Sequence, residues 1–203
     1  MSYVFDKINE PGPLQFGQEE PVMIDARNYN VKETLKNGIV VTIRAVRPDD
    51  KHGIAEAFRN LDRESVYTRF FTYKNELTGE ELRRATEVDF EDIVALVVTK
   101  ESGKEETIIA AGRYIAFDVP GAERHAEVAF TVEEDYQGLG IATRILRHLT
   151  GIARDKGISA FEADVLAENK GMLTVFSKSS LPMKQAYDGD TIHVTLSLAG
   201  DTS

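Results

Sequence analysis

The stretch that most constrains the fold is Glu127–Leu146, EVAFTVEEDYQGLGIATRIL, where strand periodicity gives way to helical periodicity across two glycines. Residues up to Val132 read as a strand and a polar loop follows. Gly138 and Gly140 then open a helix whose apolar stripe is Ile141, Ile145, Leu146, Leu149 and Ile152, and Gly157 ends it. A strand that enters a helix this way leaves backbone N–H groups unpaired at the positive end of the helix dipole, which makes an anion site sized for a pyrophosphate. Glycines let a phosphate oxygen approach the backbone, although a tight turn without a ligand would use the same residues.

The flanking pattern supplies the rest of the architecture. Residues 1–30 hold Pro11, Pro13 and Pro21 and show no periodicity, so they read as an irregular arm before a domain over 31–200. Asn37-Gly38 predicts a two-residue hairpin turn between strands at Asn30–Lys36 and Ile39–Val46, with Val40, Thr42 and Arg44 on one face and Val41, Ile43 and Ala45 on the other. Asp50 to Thr86 is helical: Ile54, Ala57, Phe58 and Leu61 share one face, and Thr78-Gly79-Glu80-Glu81 has the form of a capping box. Strands follow at Ile93–Thr99, Thr107–Phe117 and Ala126–Val132. After the glycine-led helix come a strand at Ile158–Val165, a helix at Asn169–Ser179 and two strands around Asp188-Gly189-Asp190. The fold class is therefore α/β (α+β), in the order ββαα(α)βββαβαββ.

Composition excludes several functions. The 203 residues carry 24 Lys plus Arg against 34 Asp plus Glu, so 24 − 34 = −10, which disfavours a nucleic-acid binder. With no cysteine there is no disulfide scaffold, thiolate metal site, CxxC redox motif or cysteine acyl-enzyme. His52, His125, His148 and His193 have no ligand spacing, so no metal is assigned. The chain shows neither a leader pattern nor a membrane-length apolar run, and a soluble, cytoplasmic protein without membrane partners is expected.

No G-x-x-x-x-G-K-[ST] occurs, and Thr143 stands where a dinucleotide fingerprint needs its third glycine. What remains is Gln137-x-x-Gly140-x-Ala142, which resembles the pyrophosphate loop of the GCN5-related N-acetyltransferase (GNAT) superfamily. The resemblance runs from about Ile39 to Leu198. It is nearest the acetyltransferase domain of bacterial protein-lysine acetyltransferases, through Arg69-Phe70-Phe71, Ala126-Glu127-Val128 and Leu166–Asn169. It implies a mixed, mostly antiparallel sheet of about seven strands, splayed at an acetyl-CoA site, flanked by helices and extended by the N-terminal hairpin. It further implies acetyl-CoA as co-substrate, no metal, and a primary-amine acceptor, first of all a protein lysine. Transfer would be direct, in a ternary complex, by a monomer or homodimer.

Carried over residue by residue, Gln137, Gly138, Leu139, Gly140, Ile141, Ala142 and Thr143 would wrap the pyrophosphate. Phe130, Thr131 and Val132 would bond pantetheine and the thioester carbonyl through their backbone, and Asn169 would contact the pantetheine arm or serve only as a helix cap. The segment Gln137–Gly157 carries four basic residues and one acidic, a local +3, and Arg144 either reaches a phosphate or belongs to a solvated face.

An ammonium with a pKa of about 10.4 is a poor nucleophile at neutral pH, so a base must take its proton. The resemblance makes Glu127 the first candidate, on one strand face with Ala129 and Thr131, and Asp164 the rival. The tyrosine that many superfamily members use as acid is replaced here by Phe176, which leaves the acid unassigned. The Tyr67, Arg69, Phe70, Phe71 and Tyr73 group reads as core before acceptor wall, and His125 as a turn residue.

Overall fold

The computed structural model describes residues 23–61, 65–67, 74–103, 105–121 and 123–199. Its strands are β1 (Asn30–Thr34), β2 (Val40–Ala45), β3 (Ile93–Ser102), β4 (Glu105–Phe117), β5 (His125–Val132), β6 (Ala160–Leu166), β7 (Met183–Asp188) and β8 (Thr191–Ser197). Its helices are α1 (Lys51–Arg59), α2 (Gly79–Thr86), α3 (Ile141–Asp155) and α4 (Lys170–Ser177). The strands form one sheet in the order β1-β2-β3-β4-β5-β6-β8-β7, eight where about seven were expected. Only β5 and β6 run parallel.

Strand alternation gives the sheet two different faces. One, carrying Val94, Leu96, Val98, Ala110, Tyr114, Ala126, Val128, Phe161 and Val194, is buried and apolar apart from the Tyr114 hydroxyl, with the stripe of α3 against it and Glu33 of the edge strand β1 on the same face. Ile145 on α3 approaches β4 at Gly112, where a side chain would block it. The other face carries Ala95, Val97, Ala111, Arg113, Ala129 and Thr131, and α1 and α2 sit over it with a cleft between.

Two local expectations changed, the hairpin loop and the start of α3. The Asn37-Gly38 hairpin closes with a three-residue loop: Leu35 N–H donates to Ile39 O (2.8 Å), and Gly38, at φ 86°, donates back to Leu35 O (3.0 Å). This is a type I turn with the glycine as a left-handed bulge, so Asn37 keeps an ordinary φ. Arg44, on one strand face with Val40 and Thr42, is buried at 3% because Asp50 chelates its guanidinium (2.8 Å to each oxygen) and Glu106 accepts from its Nε (3.0 Å). Helix α3 starts at Ile141, because Gly140 is its left-handed N-cap. The Thr78–Glu81 capping box is present in both directions (2.9 and 3.2 Å). Val66 is buried; Arg69, Phe70, Phe71 and Tyr73 lie outside the described residues.

Candidate active site

The site begins where β5 and β6 part. They pair only from His125–Glu127 to Ala160–Glu162, although β5 runs on to Val132 and β6 to Leu166. Beyond Glu127, β5 keeps β4 as its ladder partner on one side, and its other edge has backbone groups with no strand beside them. Phe130, Thr131 and Val132 lie on that splayed edge. Buried peptide groups require partners, so an extended ligand with amide groups suits this gap.

The loop at its mouth is held by its own bonds. Glu133 N–H donates to Ile109 O (3.0 Å), a short turn covers Glu134–Tyr136, and the Gln137 side-chain amide donates to Val132 O (3.2 Å). Gly138 and Gly140 take φ of 72° and 82°, and no side chain caps α3. The first amides of α3, at Ile141, Ala142 and Thr143, therefore face the loop without an intrahelical or capping acceptor.

Arg144 is committed to structure. Its Nε meets Glu33 Oε2 at 2.8 Å, Nη2 donates to Thr34 O (3.0 Å) and Nη1 to Gly140 O (3.2 Å). The guanidinium thus braces the glycine loop against β1. Glu33 also meets Arg147, and His148 Nε2 at 2.7 Å, while His148 Nδ1 lies 2.5 Å from the Tyr29 hydroxyl. Burial opposes the Glu33 charge, but His148 and Arg147 outweigh it and hold the carboxyl below the ordinary glutamate range. Much of the local +3 is therefore spent on fastening the N-terminal hairpin to α3.

Asn169 Oδ1 accepts from Met172 N–H (3.0 Å) as the N-cap of α4, and its side-chain nitrogen makes no hydrogen bond among the described residues. Phe176 is 1% exposed, edge-on to Phe130 at 6.2 Å between centroids. A buried ring in an apolar seam offers no proton to a departing thiolate.

On the other face lies a cleft of about 340 Å³ between α1, α2 and β3–β5. Glu127 is exposed and shares its strand face with Ala129 and Thr131, which line that cleft. Its register partner on β6 is Glu162. Glu162 meets His125 Nδ1 at 2.7 Å and His193 Nε2 at 3.5 Å; His193 Nδ1 meets Asp164 Oδ1 at 2.8 Å. Asp164 is thus paired, and it sits farther along β6, outside the residues that line the cleft.

Sequence reasoning passed over Glu133, which lines the cleft. Burial raises its carboxyl above the ordinary range, with Asn60 (3.3 Å) opposing and Glu134, Asp135 and Glu56 adding to the rise. Period-two alternation from Glu127 would have placed it on this face. Among the described residues no cluster of three or more His, Asp or Glu is placed to hold a metal, and no helix is long and apolar enough to cross a membrane.

Strand β5 thus joins a splayed parallel pair, a glycine loop at a helix N-terminus and a cleft on its opposite side. Residues 56–179 match the acetyltransferase (GNAT) family, and the chain belongs to that family. It is 28% identical over 140 residues to an acetyltransferase of Pseudomonas aeruginosa, covering 69% of this chain and 74% of that one. It is 31% identical to the acetyltransferase Pat of Mycolicibacterium smegmatis, covering 67% of this chain but 39% of Pat, so it spans well under half of that relative. The GNAT domain of S. lividans PAT superposes with a TM-score of 0.74 at 29% identity, covering 83% of this chain and 96% of that domain. An acetyltransferase-like protein of Salmonella typhimurium, solved with acetyl-CoA, shares the fold at 16% identity and a TM-score of 0.62, covering 80% of this chain and 96% of that one.

Proposed function

We propose that this protein transfers the acetyl group of acetyl-CoA directly to a primary amine, first of all a lysine side chain of a protein. The observation that carries the reading is the three-pair contact of β5 with β6, opening into a gap that leads to the uncapped start of α3. Pyrophosphate oxygens would accept from the loop amides of residues 138–143, and Arg144 would keep Gly140 in place from behind. Pantetheine would fill the splay, bonding Phe130–Val132 and the free amide nitrogen of Asn169. Relatives that are protein acetyltransferases favour a lysine over a small amine.

In this reading Glu127 takes a proton from the acceptor ammonium, directly or through a water, on the cleft side of β5. The freed amine adds to the thioester carbonyl, whose oxygen gathers charge at a backbone N–H of the β5 edge. The added nitrogen gives up its second proton to water, the C–S bond breaks and CoA leaves as a thiolate. With a thiol pKa of about 8.5 it departs without an obligatory acid, which fits a site where Phe176 replaces tyrosine.

The test incubates the protein with acetyl-CoA against a protein lysate and against a panel of polyamines and aminoglycosides, following thiol release. Release only with small amines defeats the protein-lysine acceptor. The buried Phe176 supports a second reading, an acyl-CoA-binding module; acetyl-CoA binding with transfer to no amine would favour it. Glu127→Gln is expected to lower turnover about 10²-fold or more with acetyl-CoA affinity retained. Undiminished turnover at neutral pH removes Glu127 from the role.

A further inference from the structure

Four charged residues line the cleft, and three are occupied: Glu81 by Lys74 and Thr78, Arg84 by Glu80, and Glu133 by Asn60. The fourth, Arg113, makes no hydrogen bond and no ion pair among the described residues. It is partly enclosed: burial draws its pKa down, and the charge of Glu127 works against that pull without the two forming an ion pair.

Among the described residues, its neighbours on the sheet are small and offer it no partner. On the neighbouring strands its register partners are Ala95 on β3 and Ala129 on β5, and the next residue along its own face is Ala111. Three small side chains flank a guanidinium with five N–H donors that open onto an apolar cleft. Donors withdrawn from water without acceptors are uncommon, and a planar guanidinium matches a carboxylate with two parallel hydrogen bonds. Arg113 also lies diagonal to both Thr131 and Glu127, each two residues from Ala129. Diagonal neighbours stand about 7–8 Å apart, within reach of a long side chain.

We propose that Arg113 is a carboxylate subsite, so that the cleft takes a reactant bearing a carboxylate a few bonds from the reacting carbon or nitrogen. This rests on the N-acetyltransferase reading, which places the thioester near Thr131 and the base at Glu127. Two sources share the chemistry: the acyl chain of a dicarboxylic acyl-CoA such as succinyl-CoA, or the α-carboxylate of an amino-acid acceptor.

The full chain is first titrated with acetyl-CoA by calorimetry. No binding defeats the N-acetyltransferase reading itself, whatever Arg113 does. One arm then compares acetyl-, propionyl-, malonyl- and succinyl-CoA with a fixed, C-terminally amidated lysine peptide, reading kcat/KM and the dissociation constant of each donor. The second arm holds acetyl-CoA fixed and compares amino acids with their amides. The carboxylate-bearing member of one arm is expected to be favoured at least about tenfold, in turnover or in binding. That ratio should collapse toward one in Arg113→Met and partly recover in Arg113→Lys, with unfolding curves confirming that each variant is folded. A preference in the first arm assigns the donor, and in the second the acceptor. No preference in either arm overturns the proposal, as does a preference that survives Arg113→Met or a loss in Arg113→Met that is equal for charged and uncharged partners.

Discussion

Gly112→Ala tests how the fold carries the site. A Cβ built at Gly112 would stand 2.4 Å from Ile145 Cγ2 and 3.0 Å from Phe130 Cδ1. Carbon atoms prefer separations of about 3.5–4.0 Å, so α3 must retreat from the sheet by roughly 1 Å or Ile145 must leave its rotamer. Overpacking of this kind costs about 1–3 kcal/mol, and in a chain of this size each kcal/mol lowers Tm by about 2–4 °C. Because α3 begins at the glycine loop and Phe130 lies on the splayed strand, acetyl-CoA affinity should fall as well. A double-mutant cycle isolates the contact. Ile145→Ala alone removes a fully buried side chain and should cost about 2–5 kcal/mol. In the double variant the new methyl enters the vacated space, so the two costs should fall short of additivity by at least about 1 kcal/mol. Urea unfolding of the four proteins reads all terms. A loss below about 0.5 kcal/mol for Gly112→Ala, or strict additivity, would refute the packing argument.

Other perturbations reach different parts of the structure. Arg44→Met strands the Asp50 carboxylate, whose side chain is 10% exposed, and should cost about 3–5 kcal/mol in urea unfolding, whereas Glu106→Gln, at 40% exposed, should cost far less. Gly140→Ala forces a side chain to φ 82° with Arg144 Nη1 at 2.9 Å from its Cβ, while Gly138→Ala meets open space at φ 72°. Both should lose about 1–2 kcal/mol of stability from the left-handed backbone, and Gly140→Ala should lose the more acetyl-CoA affinity by calorimetry. The Glu33 carboxyl titrates below its unfolded value, so its stabilising contribution is present above the unfolded glutamate pKa of about 4.3 and is lost as pH falls through the folded value. The gap in urea midpoint between wild type and Glu33→Gln should accordingly be full at pH 7 and close on acidification below about pH 4.

Much of the architecture was legible because its signals are local. Period-two runs gave the strands, the stripe from Ile141 to Ile152 gave α3, and Thr78 with Glu81 gave the start of α2. The hairpin loop length was not legible: Asn37-Gly38 suits a two-residue turn, but pairing of Leu35 with Ile39 fixed three residues and set the register of β1 on β2. The burial of Arg44 was not legible, because its partners Asp50 and Glu106 meet it only after the helices and β4 have packed. Arg144 was open to a phosphate or a solvated face for the same reason, since Glu33 lies more than a hundred residues away in the chain.

The sequence alone determined the order of elements, the glycine-opened helix, the face on which Glu127 stands and the exclusion of cysteine chemistry, because periodicity, backbone conformation and composition belong to neighbouring residues. The tertiary structure decided which charges are spent and which, among the described residues, are not. It tied Arg144 to Glu33, paired Asp164 with His193 and Glu162 with His125, sealed Phe176 against Phe130, and left Arg113 among alanines beside Glu127. An ionisable side chain acts through whatever surrounds it, and in this protein those surroundings are brought together by strand pairing between segments distant in sequence.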